Sequence, residues 1–572
     1  MFLYDSPMVR PAAVLASLLL STLLRASDQK LPWYPYRVAR AHEIKPHRQN
    51  IPLEGVPAGL NQLRLTLTVS PSGDVIDASA FGESGTLRFW PQVQSEVRQW
   101  KFTPFEKSGE AVAAKVEEYI NFVPLERLPK THVAAPAVGP NSKVTITLER
   151  SGCFGACPAY SVTVSTDGIV FDGNGFVLAQ GKHTDRVAAD DVRRLARKFV
   201  AADFYSMDAS YSASVTDMPG YQLSLTIDGQ AKDVVDYVGS WVGMPTAIKE
   251  LENDVDALAR TQRRIEGGDG LVQALQAEKF TFRTFQAQVM LKEAASRGKA
   301  ATVREFLDAG VPLSPRLAQK PGEPYQATPI QAVGWLNAAS SHPEALRLFI
   351  GAGASQDDQN DKDLALAGAA RSGNLEAARV LIAYGANPNA DLGNLIVTET
   401  IGGMTIERRD ARSVLMSAAE SGNPEMVGEI LRYHPKLETR DGEGKTAVFA
   451  AGEYRFGDEE GARVKCLRLL AKAGANVNAR DNGGNTPLHE TFLTDVEEEL
   501  LKLGANVNAR NKDGETPIFT TFDDDAIPLF LAYGADLTIR NKKGETVIDA
   551  TKRKRPVRQE ALRVAIEKLN RR

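Results

Sequence analysis

The sequence predicts a multidomain protein in which two small α+β domains are followed by an all-α repeat solenoid with β-hairpin loops. Two observations support this fold class. In the later half, the phrase Gly474 to Arg480 recurs as Gly504 to Arg510 and, in a looser form, as Gly534 to Arg540. In the earlier half, alternating apolar strands and intervening helices occur at 33–125 and again at 141–262. A phrase that returns at a fixed period, with its turns and apolar runs in one order, is typical of stacked repeats.

Composition and motif content exclude several classes of function. The chain has 572 residues, a formal net charge of −4 and three cysteines. This charge gives no signature of nucleic-acid binding. The sequence contains no Gly-rich phosphate loop, no Gly-x-Ser-x-Gly elbow and no His-Glu-x-x-His helix. We therefore expect no catalytic residue, no cofactor, no bound metal ion and no nucleic-acid partner.

The start of the chain predicts export. Arg10 precedes an apolar run at 12–24, and an Arg-Ala-Ser triplet follows at 25–27. The run is too short to span a bilayer comfortably, and small residues follow it, which is the pattern of a secretory signal peptide. We assign residues 1–26 to such a signal peptide, with an uncleaved membrane anchor as the alternative.

Residues 33–125 have the order strand, turn, strand, helix, strand. Apolar residues alternate over 63–69, a helix is predicted at 91–97, and the signature Trp-Lys-Phe-Thr-Pro follows at 100–104. This order, with an earlier Tyr-Pro at 34–35, resembles the C-terminal domain of TonB-type energy transducers. The resemblance implies an α+β fold in a Gram-negative cell envelope. The expected location is the periplasm, with anchoring in the inner membrane facing the periplasm as the alternative.

Residues 141–262 predict a second α+β domain, with several strands and a hairpin turn at Asp228-Gly229. An amphipathic helix is expected at 190–202 and a closing helix at 245–259. The motif Cys-Phe-Gly-Ala-Cys-Pro-x-Tyr at 153–160 resembles the signature of an uncharacterised domain found in bacterial envelope proteins. That resemblance implies no known activity.

Cys153 and Cys157 stand four residues apart in a chain expected to reach an oxidising compartment. A local disulfide is the favoured interpretation, with reduced inert thiols and a redox-active thiol as the alternatives. The redox interpretation needs a lowered thiol pKa, and no Lys, Arg or His immediately flanks the pair. Metal binding lacks further ligands, because His132 and His183 are isolated. Cys466 falls in a predicted helix and is expected in the core.

A helical linker is predicted at 263–285, and the repeats occupy 286–572. The segment Thr-Pro-Leu-His at 486–489, together with the recurring phrase, resembles the ankyrin repeat. The resemblance implies about seven repeats plus a C-terminal cap, with a glycine ending the second helix of each repeat. The glycines assigned to this role are Gly310, Gly353, Gly385, Gly474, Gly504 and Gly534. At the fourth such position His434 stands in place of glycine.

Two of the repeats carry matching helix starts. Thr486 and Thr516 mark these starts, and Pro487 and Pro517 stand at the first helical position, where a missing N–H has no cost. By resemblance to the ankyrin motif, His489 is expected to form a hydrogen bond between neighbouring loops rather than to act chemically.

One insertion interrupts the repeats. Two β-branched runs flank Gly402-Gly403, which predicts an extended β-hairpin. In the resembled family, hairpin tips lie beside the concave binding surface, so a lengthened hairpin is a candidate contact device. The alternative is that the insertion is a surface loop that has lengthened without a role in binding. The candidate partner-binding residues are Ile396, Thr398, Met404, Ile406 and Arg408.

Together these features predict an exported envelope protein that binds another protein through its ankyrin repeats and has no catalytic activity. The two α+β domains are expected to dock it within the envelope or to a second partner, with peripheral contact to the membrane or envelope. The alternative is a TonB-like accessory protein of transport or energy transduction. A third interpretation is a thiol-redox enzyme that uses Cys153 or Cys157.

Overall fold

The computed structural model describes residues 33–34, 50–59, 61–107, 110–268, 270–314, 334–392, 396–401, 404–409, 412–453, 461–521 and 526–554. The predicted signal peptide, 1–26, lies outside these residues. Within them, no helix is both long and apolar enough to cross a membrane. The chain divides into two compact units, one formed by Met1–Arg127 with Gly239–Pro245 and the other by Leu128–Val238 with Thr246–Arg572.

The first unit combines a β-sheet with two short helices. Its strands are β1 (Trp33–Tyr34), β2 (Asn50–Leu53), β3 (Asn61–Val69), β4 (Val75–Phe81), β5 (Phe105–Lys107), β6 (Glu110–Val112) and β7 (Ala114–Pro124). Its helices are α1 (Ser84–Leu87) and α2 (Trp90–Val97). Strand β7 pairs antiparallel with β3 and parallel with both β1 and β2, and β3 also pairs antiparallel with β4. Strands β5 and β6 form a separate hairpin.

The core of the first unit follows from the alternation predicted for β3. Leu63 and Leu65 are fully buried, whereas the residues between the buried positions of this strand are exposed or half-buried. Successive side chains of a strand point to opposite faces, so one face of β3 is apolar. Val93 of α2 packs on that face, and Trp100 and Phe102 of the predicted signature are buried in the same core.

The second unit begins with a seven-stranded sheet. Its strands are β8 (Val144–Arg150), β9 (Ala159–Ser165), β10 (Gly168–Gly175), β11 (Gly181–Asp185), β12 (Ser210–Ser212), β13 (Tyr221–Ile227) and β14 (Gln230–Tyr237). The strand order is β11-β10-β9-β8-β13-β14-β12, with antiparallel pairs except between β12 and β14. Helices α3 (Ala189–Ala201) and α4 (Thr246–Ala259) pack on β8 and β9, close to the predicted helix positions.

After the sheet, the described residues of the second unit form a series of helices and one hairpin. Two helices lie where a helical linker is predicted: α5 (Thr261–Glu266) and α6 (Leu271–Ala277). The helices that follow are α7 (Phe285–Ser296), α8 (Ala300–Asp308), α9 (Trp335–Ala338), α10 (Pro343–Gly351), α11 (Gln359–Arg371), α12 (Leu375–Ala383), α13 (Val414–Glu420), α14 (Pro424–Leu431), α15 (Ala447–Gly452), α16 (Ala462–Ala473), α17 (Pro487–Glu490), α18 (Thr494–Lys502), α19 (Pro517–Thr520), α20 (Ile527–Ala532) and α21 (Val547–Lys554). The hairpin between α12 and α13 consists of β15 (Ile396–Ile401) and β16 (Met404–Arg409). We call α7 to α21 the helical stack.

Each helix pair of the helical stack packs on the next pair. The first helix of each pair contacts the first helix of the following pair, from α7 through to α21. The second helices contact one another in the same way from α8 through to α18. One apolar core runs through the stack as far as Val547. A single pair cannot bury its own apolar face, so each neighbour supplies part of the cover.

The turns that follow the recurring phrase are joined by a repeated backbone hydrogen bond. The Asn482 N–H donates to the Glu443 carbonyl, and the Lys512 N–H donates to the Gly483 carbonyl, both at 2.8 Å. One loop later, the Lys542 N–H donates to the Asp513 carbonyl in the same way. These bonds hold neighbouring turns at a constant spacing.

Gly504 shows why a glycine ends the second helix of a repeat. Its φ is 92°, and a Cβ built on it would meet nothing within 4 Å. The cost of another residue here therefore comes from the left-handed backbone alone. The other five glycines assigned to this role also have positive φ. His434 has a φ of 51°, so the α13–α14 pair carries a backbone strain at the position where the other pairs have glycine.

Candidate functional site

The polar group that caps α17 is a buried histidine. Thr486 precedes Pro487, and Nδ1 of His489 accepts the Thr486 N–H at 3.1 Å. Nε2 of His489 lies 3.1 Å from the Glu515 carbonyl oxygen of the next loop and donates to it. Burial lowers the pKa of His489 to about 4, so the imidazole is neutral at neutral pH. This geometry provides the loop-to-loop hydrogen bond that the ankyrin resemblance implies, and it leaves no free imidazole nitrogen for chemistry.

Helix α19 begins with the same Thr-Pro pair but lacks the histidine. Thr516 precedes Pro517, and Phe519 occupies the position that corresponds to His489. The Thr516 side chain is fully buried, and its Oγ1 has no hydrogen-bond partner in the described part of the chain. Both helix starts are buried within the helical stack. The third cysteine, Cys466, is a buried thiol in α16.

A ladder of arginines fixes the loops of the last repeats. Arg480 donates through Nη1 to the Gly484 carbonyl at 2.9 Å and to the Arg510 carbonyl at 2.6 Å. Arg510 in turn donates to the Gly514 carbonyl at 3.3 Å and to the Arg540 carbonyl at 2.8 Å. Each guanidinium thus holds its own turn and the backbone of the next loop. A surface ordered in advance loses less conformational entropy when it binds a partner.

The candidate partner-binding residues lie on the two-stranded ribbon formed by β15 and β16. At its tip, Ile401 pairs with Met404 in an antiparallel register. Positions alternate between the two faces along each strand, and directly paired positions share a face. The register therefore divides the five candidates between the faces: Ile396 and Thr398 on one, Met404, Ile406 and Arg408 on the other.

The cysteine motif of the second α+β domain forms the loop between β8 and β9. A disulfide joins Cys153 to Cys157, whose Cα atoms are 5.6 Å apart. Ser151, at the start of this loop, accepts the Gly220 N–H at 2.8 Å, which ties the loop to the residue before β13. Phe154 is 86% exposed. With both sulfurs in the disulfide, neither cysteine is available as a nucleophile.

Next to this loop, four strands bring polar side chains into one row. Arg150 on β8 is paired with Tyr160 on β9 and with Tyr221 on β13. Tyr221 is paired in turn with Asp236 on β14. Paired residues of neighbouring strands lie on the same face of a sheet. These four side chains therefore share the face that α4 covers.

Helix α4 adds three ionisable residues over that row. Lys249, Glu252 and Asp256 are three and four residues apart, so they lie on one side of the helix. Lys249 Nζ donates to Glu252 Oε2 at 2.6 Å and lies 3.7 Å from the centroid of the Tyr221 ring. Tyr160 Oη is 2.9 Å from both carboxylate oxygens of Asp256 and donates to them. We call this set the charged cluster: Arg150, Tyr160, Tyr221, Asp236, Lys249, Glu252 and Asp256.

Burial dominates the electrostatics of the charged cluster. Glu252 is 2% exposed, and among the described residues its Oε1 has no hydrogen-bond partner. Burial raises the pKa of Glu252 to about 7 despite the opposing charge of Lys249, and the nearby Asp236 and Asp256 carboxylates act in the same direction as burial. Burial also raises the pKa of Asp256. The pKa of Tyr160 is raised by burial and by Asp256, so its phenol stays protonated.

The charged cluster thus combines a buried carboxyl group of raised pKa, Glu252, with close contacts from the neighbouring strands and from α4. Its residues come from four strands and one helix, so no local motif joins them. The only sequence signal is the spacing of Lys249, Glu252 and Asp256, which is also common on solvent-exposed helices. For that reason sequence reasoning missed it. In the described parts of the chain, no group of three or more His, Cys, Asp or Glu side chains is placed to hold a metal ion.

Comparison with known families assigns three segments of the chain. Residues 62–124 match the Gram-negative bacterial TonB protein C-terminal model. Residues 144–259 match a domain of unknown function, DUF6438. Residues 415–511 match ankyrin repeats in three copies. Each match lies inside a domain that the sequence predicts, and the predicted resemblances to the TonB and ankyrin families are confirmed over these residues.

Comparison with individual proteins gives partial likenesses. The potassium channel AKT2/3 of Arabidopsis thaliana is 26% identical over 106 residues, which are 18% of this chain and 12% of the channel. The chain thus spans only a small part of that relative's length. The solved complex of the Bd0816 predatory endopeptidase from Bdellovibrio bacteriovorus with immunity protein Bd3460 matches 35% of this chain and 96% of the matched chain, at 25% identity. Its TM-score of 0.28 is too low to transfer a fold or a function.

The family matches and the element order agree on the organisation of the chain. The β-rich part contains the TonB-like and DUF6438 segments, and the helical part contains the ankyrin match. The chain therefore contains a TonB C-terminal-like domain, a DUF6438 domain and an ankyrin-repeat region.

Proposed function

We propose that this chain is an exported envelope protein that binds a protein partner through its ankyrin-repeat region and has no catalytic activity of its own. The observation that carries the proposal is the arginine and backbone ladder, which holds the loops of the helical stack in a fixed array. Stacked repeats with ordered loops offer a long surface for protein binding at a low entropic cost. The TonB-like segment is consistent with a Gram-negative envelope, and the apolar run at 12–24 supports export.

The ribbon of β15 and β16 is the proposed contact within that surface, because it is inserted where the repeat pattern is otherwise kept. A paired ribbon presents separate sets of positions on its two faces. A partner that lies against one face will therefore depend on Ile396 and Thr398 or on Met404, Ile406 and Arg408. The other face will tolerate substitution.

Replacing 394–409 by a short Gly-Ser linker should abolish capture of the partner from a periplasmic extract, measured by affinity capture and mass spectrometry. The double variants Ile396→Ser with Thr398→Ala and Met404→Ser with Ile406→Ser then assign the face. Glu250→Gln, an exposed change in the DUF6438 domain, is the control. Unchanged capture by the linker variant, at a wild-type circular dichroism spectrum and melting profile, would refute the ribbon as the contact.

A second candidate is an accessory role in TonB-like transport or energy transduction, favoured by the family match over 62–124. N-terminal sequencing of the protein isolated from cells separates the two proposals. A mature start near Ser27 supports a processed periplasmic scaffold, whereas a retained N-terminal segment supports an anchored transport protein. The thiol-redox interpretation is tested separately by reductase activity of the reduced protein, with Cys153→Ser as its control.

A further inference from the structure

The first helix pair of the helical stack is covered by residues of the DUF6438 domain. In a repeat stack, each terminal unit has an apolar face with no neighbouring repeat to cover it. Here Leu178 and Ala179, from the loop between β10 and β11, are fully buried in the same apolar core as Met290 of α7. Leu271 and Leu275 of α6 belong to that core as well. The sheet domain and the stack therefore share one core.

The backbone of the β10–β11 loop is bonded to both sides of this boundary. The Ala179 N–H donates to the Arg264 carbonyl at the end of α5, at 2.8 Å. Gln286, at the start of α7, donates through Nε2 to the Gln180 carbonyl at 2.8 Å. Ala179 is thus bonded to α5, which precedes the stack, and the next residue, Gln180, is bonded to α7, the first helix of the stack.

A buried ionic network ties the sheet to the helices that precede the stack. Arg264 is 1% exposed and donates to Asp185 Oδ2 at 2.8 Å and to Glu278 Oε1 at 3.3 Å. Glu278 also lies 2.8 Å from His183 Nδ1 and accepts the Thr184 N–H at 2.8 Å. Burial alone would raise the pKa of Glu278, but these hydrogen bonds and the charge of Arg264 lower it, so the carboxylate is ionised. The network joins β11 at the sheet edge to the residue that follows α6.

Gly267 shows how closely the two parts approach. Its φ is 80°, and a Cβ built on it would lie 3.0 Å from Leu178 Cδ1 and 3.6 Å from Thr302 Cγ2. Leu178 belongs to the DUF6438 domain, and Thr302 belongs to α8 in the first pair of the stack. A side chain at position 267 would therefore contact both the DUF6438 domain and the first pair of the stack.

We propose that the DUF6438 domain is the N-terminal cap of the helical stack, and that the domain and the first helix pair open as one cooperative unit. A tethered but independent domain would not share a core with the stack, and its sheet edge would not pair with a buried arginine of the helices that lead into the stack. The residues that form this joint, Leu178, Ala179, Gln180, Asp185, Arg264 and Glu278, are here called the cap joint. The proposal assigns the domain a role that requires no ligand and does not depend on the partner proposed above.

Hydrogen–deuterium exchange of the full chain, read by mass spectrometry, tests the cap joint. Asp185→Asn weakens the carboxylate partner of the buried Arg264, so we expect exchange in α7 and α8 to become about tenfold faster or more. Asp190→Asn is the matched control, because that side chain belongs to the same domain and is 86% exposed. Pairs from α17 onward should exchange at wild-type rates. Faster exchange confined to the sheet, with α7 and α8 unchanged, would overturn the proposal.

The reverse experiment starts from the stack, because coupling between two regions is reciprocal. Met290→Ala removes a fully buried side chain from α7 and should accelerate exchange in β11 and in the loop that precedes it. Met426→Ala, an equally buried change in the distant α14, should leave that part of the sheet at wild-type rates. If Met290→Ala accelerates hydrogen exchange in α7 and α8 but leaves the exchange rate in β11 unchanged, the domain is not a cap.

Discussion

The DUF6438 domain and the loops of the helical stack satisfy their polar groups in different ways. The domain gathers ionisable side chains into one charged cluster, where Glu252 is almost fully buried. The loops repeat a neutral hydrogen bond instead: Asn478 donates to the Gly504 carbonyl at 3.0 Å, and Asn508 donates to the Gly534 carbonyl at 2.9 Å. A sheet and the helix packed on it can enclose one costly cluster between them. A stack must satisfy each repeat from its neighbours, and hydrogen bonds repeated in register at the loop surface do so with little desolvation.

The largest expected effect is the loss of stability when a buried side chain of the stack is truncated. Leu488→Ala removes a fully buried side chain from α17 and should cost roughly 2–5 kcal/mol. Because each pair is covered by its neighbours, hydrogen exchange should also accelerate in α15, α16, α19 and α20. Leu503→Ala, half-buried in the same repeat, is the control and should cost clearly less. Faster exchange confined to α17 and α18 would argue against neighbour-dependent stability.

The charged cluster should make the DUF6438 domain less stable as pH rises. Burial raises the folded-state pKa of Glu252 from 4.5 to about 7, so the folded domain binds this proton more tightly than the unfolded chain does. The free energy of unfolding should therefore fall between about pH 4.5 and pH 7 and then stay level. Glu252→Gln, which is always neutral, should exceed the wild type by on the order of 2 kcal/mol at pH 8 and match it near pH 5.

Hydrogen exchange over 144–259 as a function of pH is the measurement, because a multidomain chain does not give one two-state unfolding energy. Exchange rates are first corrected for their intrinsic pH dependence. Glu250→Gln, an exposed change on the same helix, should follow the wild type at every pH. A Glu252→Gln profile parallel to the wild type would show that Glu252 is not the titrating group.

The loops should respond to pH in the opposite direction. Burial lowers the folded-state pKa of His489 from 6.5 to about 4, so the stability that depends on the neutral imidazole is present above pH 6.5. It is lost as pH falls from about 6.5 to about 4. At pH 7.5, His489→Ala should cost about 1–2 kcal/mol, because the Thr486 N–H and the Glu515 carbonyl lose their partner.

The difference between His489→Ala and the wild type should shrink as pH approaches 4, read by exchange in α17 and α19. His132→Ala is the control, because that side chain is 75% exposed. A constant difference across this pH range would mean that the imidazole is not held neutral by burial.

The smallest effects concern the residue that ends the second helix. Gly504→Ala should cost about 1 kcal/mol, since alanine must adopt a φ of 92°. His434→Gly should stabilise the α13–α14 pair by about 0.5–1 kcal/mol, because it relieves a φ of 51°. Local hydrogen-exchange protection should decrease in Gly504→Ala and increase in His434→Gly. If His434→Gly leaves the protection unchanged, the histidine makes a contact that compensates for its backbone strain.

Sequence reasoning predicted the helical stack well because its signals are local and repeated. A glycine with positive φ, such as Gly504, and a Thr-Pro helix start, such as 486–487, each act within one turn of helix. Their repetition in one order identifies the architecture even where single repeats deviate, as at His434. The alternation over 63–69 and the hairpin around Gly402-Gly403 are local in the same sense.

By contrast, only the tertiary structure located the charged cluster and the cap joint. Tyr160 and Asp256 meet because β9 and α4 pack together, and Arg264 meets Asp185 because α5 returns to the sheet edge. The sequence by itself determined which segments are strands, helices and turns, since backbone preference and side-chain periodicity act over a few residues. Which charges become buried and paired was decided by packing, because their pKa values and bonding partners depend on groups far away in the chain.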